Sequence, residues 1–255
     1  MRLSCSSWSH HRSLEAGEFS LASWIEHCAK DLALDGVEIE DKHFPDSSTA
    51  ALQTVRRLIA DHGLALANVT TFNDFGNEEE RKNASELDKV KRWIDNARAL
   101  GAASLRVFAG WPKGPRQAAW DRMIPWLARA AEYAKAQGVI LVLENHNHGG
   151  FIQTSADTLL ALRQVDSSHL KPLLDTGNYL DGMKSIAQIA PLAAHVHAKL
   201  LKLDPKGKEV NIDHVGVFKL LAQANYQGFV SAEYEGEEQE TRAVPRAIRY
   251  LRELS

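Results

Sequence analysis

The stretch ILVLENH, residues 140–146, is an unbroken apolar run that stops at a carboxylate, Glu144, and an imidazole, His146. Consecutive apolar residues are typical of a parallel β-strand that is covered on both faces. Three later stretches follow the same pattern and end on side chains that can bind a metal ion: KPLLDTGN (171–178), AAHVHAK (193–199) and FVSAEYEG (229–236). Side chains from separate strand ends converge when the strands lie side by side and parallel, as in a β/α barrel.

The unit of strand and helix recurs about every 30 residues along the whole chain, which agrees with repeated β/α units. Amphipathic patterns over 50–62 and 86–100 predict helices, with Ser47 and either Thr154 or Ser155 as N-caps. Glycines separate helical patterns from the next strand at Gly36, Gly63, Gly101, Gly138 and Gly228. The predicted strands are 3–6, 36–39, 65–69, 104–108, 140–144, 172–175, 195–198 and 229–233. We therefore predict an α/β fold, a single (β/α)8 TIM barrel.

Length and composition set the limits of this prediction. At 255 residues the chain suits one barrel, although two ordinary domains would also fit that length. No linker or shift in composition marks a boundary, so we predict one catalytic domain over 1–255. The net charge of −3 gives no reason to expect a nucleic-acid partner, because sequence-independent affinity for nucleic acids comes from Lys and Arg that neutralise phosphates.

Membrane segments, secretory signals and cysteine content indicate the cellular compartment. No segment approaches the apolar length that crosses a bilayer, so no membrane association is expected. The first residues, MRLSCSSWSHHRS, lack the apolar stretch of a secretory signal. Two cysteines, Cys5 and Cys28, are too few for a disulfide framework and are expected to be small core residues. We expect a cytoplasmic protein.

Four strand-end residues form the candidate metal site: Glu144, Asp175, His197 and Glu233. Three carboxylates and one imidazole suit a single divalent cation, for which we expect Mn²⁺, with Mg²⁺, Co²⁺ and Zn²⁺ as alternatives. Such an ion would stabilise an enediolate formed from a carbonyl and the neighbouring hydroxyl. Glu144 and Glu233 would then be the acid/base pair that removes and returns the proton.

Each of these residues also has an ordinary structural explanation. A glutamate at a strand end is more often an ion-pair partner, and His195 or His197 could be a buried histidine with its polar atoms satisfied. His197 lies nearer the carboxyl end of its strand and is the better ligand of the two. Four candidates at the same end of consecutive strands favour the metal site.

The segments LENHNHGG (143–150), LLDTGN (173–178), HVHAK (195–199) and SAEYEG (231–236), with DGVEIEDKHFP (35–45), resemble the xylose-isomerase-like TIM barrels. More narrowly, the chain resembles the sugar phosphate isomerase/epimerase group, and the resemblance covers nearly its whole length. The resemblance implies one divalent metal on the same quartet, acid/base roles for Glu144 and Glu233, and a small sugar or polyol substrate in carbohydrate metabolism. Many barrels of this group associate into dimers or tetramers, so a homo-oligomer is compatible with the resemblance, which leaves the oligomeric state open.

The chain departs from the ketose epimerases of that group at two positions. Those enzymes generally carry a histidine where this chain has Asn178, and an arginine where it has Leu203. Both groups contact substrate there, so the departures put a free-ketose 3-epimerase in doubt. Lys199 lies on the same side of its strand as His197 and could polarise a carbonyl or hold an anionic group. The resemblance also fits inosose dehydratases.

Further candidates are expected around the substrate. Glu38 is placed near the barrel mouth by the resemblance, or else forms a buried ion pair with Arg106. His43 and His146 would contact substrate hydroxyls or support the ligating carboxylates. Trp8, Phe72, Trp111 and His148 would form a wall against a sugar ring, although ordinary packing is favoured for the aromatic residues. The acidic run 235–240 is expected to be a solvated first helical turn. The candidate substrate-binding residues are Glu38, His43, Arg106, His146, Asn178 and Lys199.

The leading hypothesis is a metal-dependent sugar isomerase or epimerase, or a keto-polyol lyase, that acts through an enediolate. One alternative is a metal-dependent endonuclease or phosphoesterase on the same barrel, which would need three zinc ions. The second to fourth strands offer too few ligands for such a cluster. The other alternative is a non-catalytic sugar-binding barrel, against which the complete quartet of ligands argues.

Overall fold

Eight parallel strands close into a barrel in a computed structural model that describes residues 1–146 and 148–255. Each strand pairs with the next one in the chain, and β8 pairs with β1. The strands are β1 Arg2–Ser6, β2 Gly36–Glu40, β3 Ala65–Thr70, β4 Ser104–Val107, β5 Ile140–Glu144, β6 Leu170–Asp175, β7 His195–Leu200 and β8 Phe229–Tyr234. Their ends differ from the predicted ones by at most two residues. The (β/α)8 fold is confirmed.

Helices surround the barrel. They are α1 His11–Glu15, α2 Leu21–Lys30, α3 Thr49–Asp61, α4 Glu80–Leu100, α5 Arg116–Gln137, α6 Ser155–Val165, α7 Met183–Ile189, α8 His214–Gln223 and α9 Glu240–Leu254. Short 3₁₀ segments are Ser7–His10, Asp41–His43 and Ala190–Leu192. Thr154 caps α6 as one of the two predicted residues, but α3 is capped by Ser48, not by Ser47. In the described residues, no helix has the length and apolar character that would cross a membrane.

The predicted glycines divide into two structural roles. Gly101 and Gly138 end α4 and α5 with φ of +79° and +71°, a conformation that glycine adopts without a steric penalty. Gly36 instead opens β2, where a Cβ atom would lie 2.8 Å from both the Ala65 carbonyl and the Phe229 ring. Glycine is therefore needed there for close packing inside the barrel.

Successive side chains of each strand point alternately to the layer of helices outside the barrel and to the barrel interior. In β7, Val196, Ala198 and Leu200 belong to the apolar core between the strands and the helices. His195 and His197 carry the opposite parity and are buried inside the barrel. The barrel interior is therefore rich in polar side chains. The strand register determines the level of each of these side chains along the barrel axis.

The acidic run 235–240 was predicted to be a solvated first helical turn, and the structure shows that this prediction is wrong. Glu235 and Glu237 are exposed, but Glu240 is only 1% exposed. Its carboxylate accepts hydrogen bonds from the backbone N–H groups of Arg12, at 3.1 Å, and Ser13, at 2.9 Å. These amides lie in the first turn of α1, so Glu240 joins the two ends of the chain across the top of β1 and β8.

We expect Glu240→Ala to lower the free energy of unfolding by roughly 1–3 kcal/mol, because two amide donors lose their acceptor. Urea denaturation measures this change. Glu237→Ala, which removes an exposed carboxylate from the same segment, is the control and should change stability by less than about 0.5 kcal/mol. Equal stability of the two variants would show that the Glu240 contacts contribute nothing.

Candidate active site

The four candidate metal ligands meet at the carboxyl ends of β5 to β8. One ligand atom from each of Glu144, Asp175, His197 and Glu233 lies within 4.8 Å of the others. His197 Nδ1 is 3.6 Å from Glu144 Oε1, 3.9 Å from Asp175 Oδ2 and 3.4 Å from Glu233 Oε2. Two ligands that bind one ion at about 2.1 Å lie about 3–4 Å apart. The arrangement therefore fits one shared cation.

Burial gives an independent reason for a cation at this point. All four side chains are at most 4% exposed. Across residues 1–146 and 148–255, at least one atom of each makes no hydrogen bond, and those that face the cluster are Glu144 Oε2, Asp175 Oδ2, His197 Nδ1 and Glu233 Oε2. Buried carboxylates without hydrogen-bond partners are costly, and a divalent ion among hard oxygen ligands offsets that cost. The cluster could bind a metal ion.

Asp175 is aligned by neighbours that the sequence did not reveal. Its backbone N–H donates to Asn145 Oδ1 at 2.9 Å, and Asn145 Nδ2 donates to the Asp175 carbonyl at 3.0 Å. The Gly177 N–H donates to Asp175 Oδ1 at 2.8 Å, which leaves Oδ2 towards His197. The one available signal for Asn145 was its place directly after Glu144 at a strand end.

Each predicted acid/base carboxylate has its own cation. Arg106 Nε lies 3.3 Å from Glu144 Oε2, and Lys199 Nζ lies 2.5 Å from Glu233 Oε2. Lys199 also contacts Asp175 Oδ2 at 3.2 Å and Glu235 Oε1 at 3.0 Å. A Cβ atom at position 177 would lie 2.7 Å from Lys199 Cγ, so Gly177 leaves room for the lysine.

These charges decide which groups carry protons. Burial opposes ionisation of Glu233, but Lys199 and His197 outweigh it and hold the pKa of Glu233 well below its usual range. Burial also opposes ionisation of Glu144, whose pKa is nevertheless lowered by Arg106 and His197. Burial disfavours charged His197, yet the carboxylates of Glu38 and Glu233 raise its pKa well above the ordinary value. Without a metal ion, His197 is therefore protonated at neutral pH.

Asp175 behaves differently from the two glutamates. Burial raises the pKa of Asp175 well above its usual range, and Glu233 and Glu144 add to this effect through repulsion. The charge of Lys199 acts in the opposite direction but does not compensate. Asp175 is therefore the carboxyl that gains most from a cation at the site.

A pocket of about 180 Å³ opens above the cluster. Its lining consists of Trp8, Glu40, Phe72, Arg106, Phe108, Glu144, His146, His148, Asn178, Lys199, Glu233 and Glu235. Cavities of about 500 and 740 Å³ lie at the opposite end of the strands, near Gly228 and Leu170. We place the chemistry in the smaller pocket, because the charged cluster lies there and barrel enzymes use that face.

Four of the six predicted substrate-binding residues line this pocket: Arg106, His146, Asn178 and Lys199. Glu38 does not, because it is fully buried one layer below, with Oε1 2.8 Å from His197 Nε2 and Oε2 2.6 Å from His195 Nε2. Its predicted place at the mouth was wrong. The alternative prediction, an ion pair between Glu38 and Arg106, is not observed either. Arg106 pairs with Glu40 instead, since its Nη2 donates to Glu40 Oε1 at 2.8 Å.

His43 is likewise absent from the lining among the described residues. Its Nδ1 lies 2.7 Å from Ser7 Oγ, and Ser7 Oγ accepts a hydrogen bond from the Glu40 N–H at 2.9 Å. Burial, with the nearby Lys42 charge, lowers the pKa of His43 to about 4. His43 therefore supports the backbone of Glu40 through Ser7.

Two acidic residues of the pocket escaped the sequence analysis. Glu40 is the last residue of β2, on the same side as Glu38, and that parity was a usable signal. Glu235 was assigned to a solvated run, but its Oε1 accepts from Trp8 Nε1 at 3.0 Å and contacts Lys199. Of the aromatic candidates, Trp8 and Phe72 line the pocket, whereas Trp111 stacks on Phe72 with ring centroids 5.3 Å apart.

Comparisons with known proteins agree with this fold. A family model described as "Xylose isomerase-like TIM barrel" matches residues 27–254. A D-psicose 3-epimerase of Agrobacterium fabrum strain C58 is 24% identical over 209 residues, which cover 74% of this chain and 69% of that protein.

Solved structures are similar over nearly the whole chain. D-psicose 3-epimerase from Clostridium cellulolyticum H10, with D-tagatose, has a TM-score of 0.82 at 18% identity and covers 100% of this chain and 99% of its own. The apo 3-keto-D-glucoside 4-epimerase from E. coli has a TM-score of 0.77 at 19% identity, over 92% and 94% of the two chains. At these identities the likeness supports the fold.

We expect metal binding at pH 7 to release at least one proton per ion. The raised pKa of His197 means that its Nδ1 proton must leave before that nitrogen can bind a metal. Apparent affinity should therefore rise with pH, in the direction set by proton release. Calorimetric titration with Mn²⁺ in two buffers of different ionisation enthalpy measures the protons released. Identical heats in both buffers would contradict this protonation state.

Proposed function

The chain belongs to the xylose isomerase-like TIM barrel family, and from that premise we propose that it is a divalent-metal-dependent enzyme acting on a keto-sugar or keto-polyol. The reaction would remove a proton from a carbon beside the carbonyl, with isomerisation, epimerisation or dehydration as the outcome. The observation that carries the proposal is the convergence of Glu144, Asp175, His197 and Glu233. Similarity to a D-psicose 3-epimerase over 74% of the chain supports a sugar as substrate.

The four converging residues would hold the ion, with Mn²⁺ as our proposed occupant. When bound, a divalent cation supplies Lewis-acid polarisation of a carbonyl and stabilises the negative charge that follows proton removal. The carboxylates of Glu144 and Glu233 serve as base and acid. The lowered pKa values favour the ionised form of each, so either carboxylate can act as the base, and the one that returns the proton must be protonated when it acts as the acid.

The cationic side chains of Arg106 and Lys199 hold the two carboxylates, Glu144 and Glu233, in place. Arg106 holds Glu144 and Glu40 together, and a guanidinium does not lose its proton in proteins. Lys199 holds Glu233, Asp175 and Glu235 from the other side. Each of the two carboxylates is thus held by a different cationic side chain, which would keep both in position for proton transfer.

The rest of the lining suits a polyhydroxylated ligand. Glu40 and Glu235 can accept hydrogen bonds from hydroxyl groups, and Asn178 and His146 can donate or accept them. Phe72, which is 56% exposed, and Trp8 offer aromatic surface beside these polar groups. Pockets that combine apolar walls with a few placed polar groups are typical of small-molecule sites.

The charge distribution favours a substrate without a phosphate group. Both cations of the pocket, Arg106 and Lys199, are already paired with carboxylates. Barrel enzymes that bind phosphate frequently use the loops after strands 7 and 8. In this chain the loop after β8 carries Glu235, Glu237 and Glu238, which would repel a phosphate. We therefore propose an uncharged keto-sugar or keto-polyol.

Two alternatives remain to be separated by experiment. An endonuclease of this superfamily would carry three metal ions, whereas the second metal-capable group found in the described residues shares His197 with the first. Elemental analysis that finds three ions per chain would favour the endonuclease over our proposal. A sugar-binding barrel without activity would bind a ligand but exchange no carbon-bound proton.

Glu144→Gln should reduce solvent deuterium exchange into the substrate by about 100-fold or more, because the general base is lost while an oxygen ligand remains. Asp175→Ala should lose mainly the metal, since Asp175 depends most on a cation. Exchange into a panel of keto-sugars and inososes, followed by NMR, measures the first effect, and elemental analysis the second. Glu237→Gln, exposed and outside the pocket, is the control. Equal metal content and equal exchange in both site variants would refute the assignment.

A free keto-sugar should be a better substrate than its phosphorylated form, with kcat/KM higher by at least about tenfold, which corresponds to roughly 1.4 kcal/mol. Glu235→Gln should narrow this difference, because it removes one of the charges that repel the phosphate. Steady-state kinetics on matched pairs of sugars tests both expectations. A preference for the phosphorylated form would overturn the uncharged-substrate proposal while leaving the metal site intact.

A further inference from the structure

Beneath the metal site, Glu38 joins two histidines inside the barrel. Its Oε1 lies 2.8 Å from His197 Nε2, and its Oε2 lies 2.6 Å from His195 Nε2. Glu38 and His197 are fully buried, and His195 is 2% exposed. Thus His197 faces three carboxylates through Nδ1 and a fourth carboxylate through Nε2.

The Glu38 group is not a second metal site of the same kind. Ligands that share an ion lie about 3–4 Å apart, as His197 Nδ1 and its three carboxylates do. The contacts of Glu38, at 2.6 and 2.8 Å, have the length of a proton shared between nitrogen and oxygen. In the described part of the chain, neither Glu38 Oε1 nor His197 Nε2 makes a hydrogen bond of regular geometry with any group, and their 2.8 Å contact is an ion pair by distance. Their mutual contact is what offsets the burial of both atoms.

Other strands fix the Glu38 carboxylate in place. Ser231 Oγ donates to Oε2 at 3.2 Å, and Asn68 Nδ2 donates to the same oxygen at 3.3 Å. Asn68 is itself held, since its Oδ1 accepts from Ser104 Oγ at 2.7 Å. Glu38 on β2 is therefore anchored from β8 and β3, and its Oε1 is left for His197 on β7.

This arrangement selects one form of the His197 ring. A neutral imidazole carries its proton on one nitrogen and a lone pair on the other. With the proton on Nε2, the ring donates to Glu38 and offers the Nδ1 lone pair to the metal site. The opposite tautomer would point a proton into the metal site and a lone pair at a carboxylate. We propose that Glu38 is a positioning residue of the metal centre, which fixes the ring orientation and tautomer of His197.

The inference rests on the proposed function only in taking the quartet as the metal site. Residues that orient metal-binding histidines contribute about 10–100-fold to metal affinity. Glu38→Gln should therefore weaken metal binding by that factor, because glutamine removes the negative charge and one of the two oxygens that contact His195 and His197. Glu38→Asp, which keeps both acceptor oxygens, should restore part of the affinity.

Glu237→Gln is the control. It makes the same chemical change at an exposed residue that lies outside the pocket. Its metal affinity should stay within about threefold of that of the unaltered protein, a difference of less than 1 kcal/mol. Competition against a chelator with Zn²⁺ measures all four proteins, and melting of the metal-free forms shows that each is folded.

A second measurement needs no variant. ¹⁵N NMR of the histidine-labelled, Zn²⁺-loaded protein should show His197 with a proton on Nε2 and none on Nδ1. A proton on Nδ1, or equal Zn²⁺ affinity of folded Glu38→Gln and Glu237→Gln, would overturn the role of Glu38. If the unaltered protein binds no metal at all, the proposed function fails, and that result differs from failure of this inference alone.

Discussion

Repulsion among buried carboxylates is the constraint on which this structure depends. Glu144, Asp175 and Glu233 converge with His197 within 4.8 Å, inside a barrel that excludes water from them. Ionised groups in such a place are stable only when opposite charges surround them closely. Arg106 and Lys199 supply part of that charge from the pocket side. A divalent cation at the centre would supply the rest, and the chemistry that we propose uses the same charge.

The polar interior is organised in layers along the barrel axis. Glu38, with His195, forms the layer below the quartet and holds the lower nitrogen of His197. Glu40 and Arg106 form an ion pair at the level of the pocket, on the opposite side from Lys199 and Glu235. Since β2 and β4 to β8 contribute to these layers through their register, the barrel itself determines the geometry of the site. Loops add Trp8 and Phe72, which shape the opening above it.

The sequence predicted the quartet because each of its members ends an apolar run, and parallel strands must bring such ends together. The sequence did not predict that Glu38 lies one layer below the metal site. Parity along a strand shows which face of the strand a residue is on, but not its level along the barrel axis. β2 continues to Glu40, one residue beyond the predicted end, so Glu40 stands at the mouth. Asn145, Glu235 and Glu240 were missed or misassigned because their roles depend on partners that no local pattern identifies.

Anomalous diffraction from crystals that contain Mn²⁺ would show whether the four converging side chains hold a single cation. We expect one strong peak at about 2.0–2.4 Å from His197 Nδ1 and from an oxygen of each of Glu144, Asp175 and Glu233. A protein that takes up Mn²⁺ elsewhere, for example beside Glu38 and His195, or that shows no peak between these four side chains, would contradict it.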